Sequence, residues 1–220
     1  MGVDRVYFVK GSTVLPYDLD DDVAVDVRWQ LDDVWAGLPP AFAAGMDAAL
    51  DLGTYYLYVF RGGECVRIPC DTHRADDDGP VPIRADFPGL GVARLDAATP
   101  WDDGSAYLFT GRYCVRYDPV LRRAGRPQPV SSLFTGVSDT WLGSGVDAAV
   151  NPGYGFAYLF RGTEYVRLDT RTGTQLGSPR PIAADWHGLS GPFDAAWCNT
   201  PLSLNGSAGA LSARSMQPTG

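Results

Sequence analysis

A chain of 220 residues that is 45% hydrophobic, 12% aromatic and 20% charged has enough apolar material for a packed core, which excludes disordered, fibrous and collagen-like classes. Its formal net charge of -8 leaves no basic surface to neutralise a phosphate backbone, so nucleic acid is excluded as a partner and cations are favoured. With 26 Gly, 17 Pro, 11 Tyr, 9 Phe and 6 Trp, turns are frequent and the large side chains suit pleated sheets, so an all-β class is expected.

From the N-terminus, MGVDRVYFV places charges where a leader would need an apolar core, and no apolar run approaches the roughly 18 residues of a membrane span. The chain is expected to be cytoplasmic, with no membrane partner. Tyr7 to Gly11 (YFVKG) then opens a segment that returns at Tyr58 (YVFRG), Tyr107 (YLFTG) and Tyr158 (YLFRG), at spacings of 51, 49 and 51 residues. The last three copies continue into Cys65-Val-Arg, Cys114-Val-Arg and Tyr165-Val-Arg, so the unit reads as a hairpin with Gly62, Gly111 and Gly162 in the turn. The first copy departs, with Val14-Leu15-Pro16 where the others have Val-Arg; Pro16 cannot donate to a sheet ladder and suits an outer or irregular strand.

After each hairpin comes an aromatic-x-Gly-hydrophobic signal, at Trp35, Phe87, Phe134 and Trp186. A short inner strand follows each time: Met46-Asp-Ala-Ala, Leu95-Asp-Ala-Ala, Val146-Asp-Ala-Ala and Phe193-Asp-Ala-Ala. Inner strand, hairpin and looser outer segment make a four-stranded blade, repeated four times around an axis where only methyl groups fit. No such inner strand precedes Tyr7, while the fourth stands near the C-terminus with no hairpin after it. The expected fold is therefore a four-bladed β-propeller over residues 1–198, closed by pairing of the C-terminal strand with the first blade, which also removes exposed edges. Residues 199–220, rich in Ser, Gly and Ala, are expected to form a flexible tail or linker.

The remaining candidate chemistry is sparse. Cys65, Cys70, Cys114 and Cys198 match no zinc spacing and are read as small buried hydrophobes, with a bridge to Cys198 left open. His73 lies in a loop beside Asp76, Asp77 and Asp78, and His187 sits inside the aromatic-x-Gly signal. The acid clusters around Asp32 and Asp76 are read chiefly as wetted surface able to gather cations weakly. There is no nucleophile elbow, phosphate loop or His-rich metal motif.

The repeated Asp-Ala-Ala, the Tyr-x-Phe-x-Gly hairpin and the Trp-x-Gly-Leu together resemble the hemopexin repeat over roughly residues 5–198. The missing N-terminal inner strand makes the chain more similar to the single-propeller seed albumins and the bacterial photopexins than to secreted hemopexin. The resemblance implies a calcium or sodium ion in the central tunnel, held largely by main-chain carbonyls, with Asp47, Asp96, Asp147 and Asp194 facing it and Ala49, Ala98, Ala149 and Ala196 forming a second ring. The plainer alternative is that each aspartate caps a turn at the start of its strand. The resemblance also implies binding of a small cationic ligand such as a polyamine, or of haem; haem fits less well, with only two histidines to offer. Two other classes stay open: an enzyme for a small metabolite working at the tunnel mouth, and a scaffold binding a protein partner, or a second copy as a homodimer, through its outer blade faces.

Overall fold

Alternating hydrophobes and a glycine at the point of reversal fold each repeat into a hairpin. In the computed structural model, which describes residues 5–198, the four hairpins pair Arg5–Lys10 with Thr13–Asp18, Tyr56–Arg61 with Glu64–Pro69, Ala106–Thr110 with Tyr113–Asp118, and Phe156–Arg161 with Glu164–Asp169. Gly11, Gly62, Gly111 and Gly162 turn them at φ between 52° and 59°, a left-handed conformation that glycine adopts without a Cβ penalty. Each hairpin takes an inner strand on one side: Ala195–Cys198 in blade 1, Ala48–Asp51 in blade 2, Ala97–Pro100 in blade 3 and Ala148–Val150 in blade 4. On the other side the outer segment condenses into two-residue strands, such as Val23–Ala24 and Trp29–Gln30 in blade 1. The result is four small antiparallel sheets arranged in a ring, a four-bladed β-propeller.

Closure runs as the sequence implies. Val6, Tyr7, Phe8 and Val9 pair with Cys198, Trp197, Ala196 and Ala195, so the two ends of the described chain meet inside one sheet. The expected tail at 199–220 lies outside the described residues. Pro16 falls in the middle of the second hairpin strand, opposite Tyr7. Its carbonyl accepts from Val25 N at 2.9 Å, the place taken by the carbonyls of Arg67, Arg116 and Arg167 in the other blades. In a strand the N–H and C=O of one residue point the same way, so proline lacks a donor only on the outer side, between the two short outer strands.

Four buried clusters account for the core, one at each seam between neighbouring blades. The hydrophobe before each aspartate, Met46, Leu95, Val146 or Phe193, is buried in one of them, beside the aromatic of the Trp35, Phe87, Phe134 and Trp186 signal. Fully burying each such side chain stabilises by about 1.5–3 kcal/mol, so the seams rather than the interiors of single blades hold the ring. One-turn helices, Leu31–Val34, Ile83–Asp86, Val130–Leu133 and Ile182–Asp185, lead from the outer strand of each blade into that aromatic. Among the described residues no helix is long and apolar enough to cross a membrane.

Candidate functional site

The four inner strands start at the same end of the axis, and the structure sets each aspartate one residue ahead of its strand rather than within it. The reason is local. The backbone N–H of Asp47, Asp96, Asp147 and Asp194 donates to Phe60, Phe109, Phe160 and Val9 at 2.8–2.9 Å. Each carboxylate then turns onto its own blade's hairpin: Oδ2 of Asp47 accepts from Gly62 N at 2.7 Å, that of Asp147 from Gly162 N at 2.7 Å, that of Asp194 from Gly11 N at 2.6 Å, and that of Asp96 from Gly111 N. Each aspartate therefore secures its turn with one oxygen.

All four carboxylates line a single cavity of about 660 Å3 at this mouth, together with Arg61 and Arg94. Arg94 sits 3.1 Å from Oδ1 of Asp96, and Arg61 donates to the Gly45 carbonyl. Among the described residues no three Asp, Glu, His or Cys side chains converge closely enough to hold a metal ion. The backbone is the other donor set. Each inner strand is the last strand of its sheet on the axial side, so alternate N–H and C=O groups have no strand partner and face the axis. Ala49, Ala98, Ala149 and Ala196 are buried, with 1–2% exposure, and their methyls pack into the seams and offer no ligand atom.

A second cavity, of about 490 Å3, opens at the seam between blades 1 and 2, near the far ends of the inner strands. Its walls are Tyr7, Trp29, Trp35 and Trp197, with Asp33 and Asp51 among the polar lining. Tyr7 stacks on Trp197 with centroids 5.0 Å apart and planes 14° from parallel, and Trp35 lies 4.8 Å from Trp197. Burial pushes the Asp51 carboxyl above its ordinary range, partly offset by the Gly53 N–H it accepts at 2.8 Å. Sequence reasoning missed this cleft, whose walls come from positions as far apart as 7 and 197.

The remaining candidates are dispersed. His73 sits at the rim of that cleft, while the ring of His187 packs on Asp22 at the seam between blades 4 and 1, 3.0 Å from its carbonyl. The two are not brought to one site. Arg67 neutralises most of the 76–78 acid loop, reaching Asp76 at 3.2 Å and Asp78 at 2.5 Å. Cys65, Cys114 and Cys198 are buried, and no disulfide joins any two of the four cysteines; Cys70 is exposed, against the expectation of four small buried hydrophobes. Burial and the neighbouring Asp86 push the Cys65 thiol up to about 12, and burial also raises Cys114; thiols so held are inert.

Comparison with known proteins points the same way. The Hemopexin family model matches residues 95–139 and 146–191, the stretches holding blades 3 and 4. Albumin-2 of Pisum sativum is 28% identical over 109 residues, 44% of this chain and 47% of that protein, so the match spans about half of the relative's length. A solved 2S albumin seed protein from Dolichos superposes with a TM-score of 0.72 at 27% identity, covering 83% of this chain and 91% of that one. A plant lectin with two metal binding sites from Cicer arietinum has the same fold at 22% identity, TM-score 0.72, over 83% and 90% of the two chains.

Proposed function

Because the chain belongs to the hemopexin-like repeat family, as a single four-bladed propeller, we propose that it is a binding module that holds a hard cation, calcium or sodium, on the axis of its ring. The observation that carries this reading is the fourfold mouth: Asp47, Asp96, Asp147 and Asp194 around one cavity, above four inner strands whose axial edges have no strand partner. Main-chain oxygens of the Asp-Ala-Ala strands, those of the aspartates and of Ala49, Ala98, Ala149 and Ala196, would hold the ion. Oxygen donors in number suit calcium. The carboxylates, each anchored to its hairpin, supply the attracting field rather than a compact side-chain cluster. The Cicer arietinum lectin with metal binding sites supports the reading by fold alone. A polyamine is a poorer fit to this mouth, because Arg61 and Arg94 line it too and Arg94 is already paired with Asp96. Haem draws no support from two histidines at different seams.

The test is thermal unfolding of the metal-stripped protein titrated with calcium, then sodium, at two ionic strengths. A ligand that binds only the folded state at about 100 times its Kd adds about 2.7 kcal/mol, so a saturable rise in the midpoint is expected. A midpoint that follows ionic strength alone, whichever cation is added, would sink the reading and shift weight to the enzyme or the scaffold.

A further inference from the structure

The four repeats are nearly interchangeable, which makes departures from the repeat informative. Three fall in blade 1 around one tyrosine. Opposite the hairpin tyrosine on the second hairpin strand, blades 2, 3 and 4 carry Arg67, Arg116 and Arg167, and blade 1 carries Pro16. Opposite the same tyrosine on the inner strand they carry Leu50, Thr99 and Val150, and blade 1 carries Trp197. At the start of the short outer strand they carry Val81, Gln128 and Arg180, and blade 1 carries Trp29.

Two of these changes, Trp29 and Trp197, add indole surface to the wall of the 490 Å3 cleft between blades 1 and 2. The third, Pro16, leaves no guanidinium opposite Tyr7 on the second hairpin strand. The extra aromatics do not serve merely to fill the seam, since the cavity remains beside them. Tyr7 and Trp29 are only half-buried, with centroids 6.2 Å apart. Asp33 and Asp51 join the aromatic walls, neither has an ion-pair partner among the described residues, and no Lys or Arg lines the cleft. Arg5, which reaches toward the Tyr7 hydroxyl, is paired with Asp18 at 3.7 Å.

Aromatic faces attract cations through their ring quadrupole, most strongly for Trp and for ions that shed water readily. Carboxylates add charge, and a cleft of this size accepts a small molecule. The geometry points to a ligand site for a quaternary ammonium compound, its methylated head group against Tyr7 and Trp29 and its charge balanced by Asp51 and Asp33. This site is separate from the axial mouth and does not depend on the cation proposed there.

The test uses choline chloride, read by tryptophan fluorescence, because three indoles line the cleft. Its uncharged analogue, with a tert-butyl group in place of trimethylammonium, and a methyl glycoside are run beside it. A saturable change with choline is expected, with the neutral analogue binding about tenfold more weakly and calcium not competing. Trp29→Ala is expected to weaken choline by about tenfold. Asp51→Asn removes only the charge, because Asn151 at the matching position already accepts from Gly153 N in the same turn at 2.9 Å; it is expected to weaken choline severalfold with an unchanged melting temperature. Equal binding of the neutral analogue, saturation by the glycoside instead of choline, no response to choline, or a response that survives Trp29→Ala would each overturn the assignment. If calcium stabilises the protein while choline does nothing, the cleft proposal alone fails.

Discussion

Asp147 shows how one side chain can be both structural and electrostatic. Its Oδ2 accepts from Gly162 N at 2.7 Å and so fixes the hairpin of blade 4, while the same carboxylate faces the axial mouth. Replacing it by alanine leaves the turn N–H without its acceptor, and a hydrogen bond to a charged group contributes about 1.5–3 kcal/mol; partial exposure lowers that, so Asp147→Ala is expected to cost about 1–2 kcal/mol. Asp147→Asn keeps an acceptor and drops the charge. It should melt close to the parent, yet lose part of its calcium stabilisation if the carboxylates supply the field. Thermal unfolding of both variants with and without calcium separates the two roles. An alanine variant as stable as the parent would show that the turn holds without its aspartate. Nearby, Gly145 is required for a different reason. At φ 147° it passes so close to the Gly111 carbonyl that a Cβ would collide with it, and connecting segment and turn meet there only because residue 145 has no side chain.

At the scale of the element, the inner strand is where sequence and geometry agree most closely. In each Asp-Ala-Ala the first alanine packs into the seam with the next blade and the second into the seam with the preceding one: Ala97 lies with Phe109 and Phe134, Ala98 with Phe60 and Phe87. Two methyls thus serve two seams beside the axis, where neighbouring inner strands lie against one another. Ala98→Leu is expected to overpack this place and cost about 1–3 kcal/mol, roughly 2–12 °C in melting temperature for a domain of this size. An unchanged midpoint in thermal or urea unfolding would mean that the axis is looser than the seams suggest. The inner strands and hairpins were legible because each recurs four times with turn glycine and aromatics in register. The one-turn helices were not: four residues such as Val130–Leu133 carry too little of a 3.6-residue period to register. The outer strands were read only as a looser segment, since two-residue pairings such as Glu64 with Pro82 and Cys65 with Val81 follow from the ring rather than from local pattern.

Taken as a whole molecule, the ring depends on one closure. The aspartate ring was legible because its members share a motif, but the aromatic cleft was not, for it joins Tyr7, Trp29, Asp51 and Trp197 from four separated segments. Of its three departures only Pro16 interrupts a recognisable motif; Trp29 and Trp197 lie just outside one. Trp197 also ties the cleft to closure, since it pairs with Tyr7 across the junction of first and last strands. Removing residues 193–220 would take away the inner strand of blade 1 and with it Phe193, Ala195, Ala196 and Trp197 from the two flanking seams. Several fully buried side chains at about 1.5–3 kcal/mol each approach the whole stability of an ordinary domain, about 5–15 kcal/mol. The truncated chain is therefore expected to lose its cooperative thermal transition, whereas a chain ending at Cys198, which keeps every closure pair among the described residues, should melt with the full-length protein. Calorimetry of the two truncations decides the matter. A cooperative transition in the shorter chain at the parent's midpoint would mean that three blades and a hairpin suffice, and that the seams, not the closing strand, carry the stability of the ring.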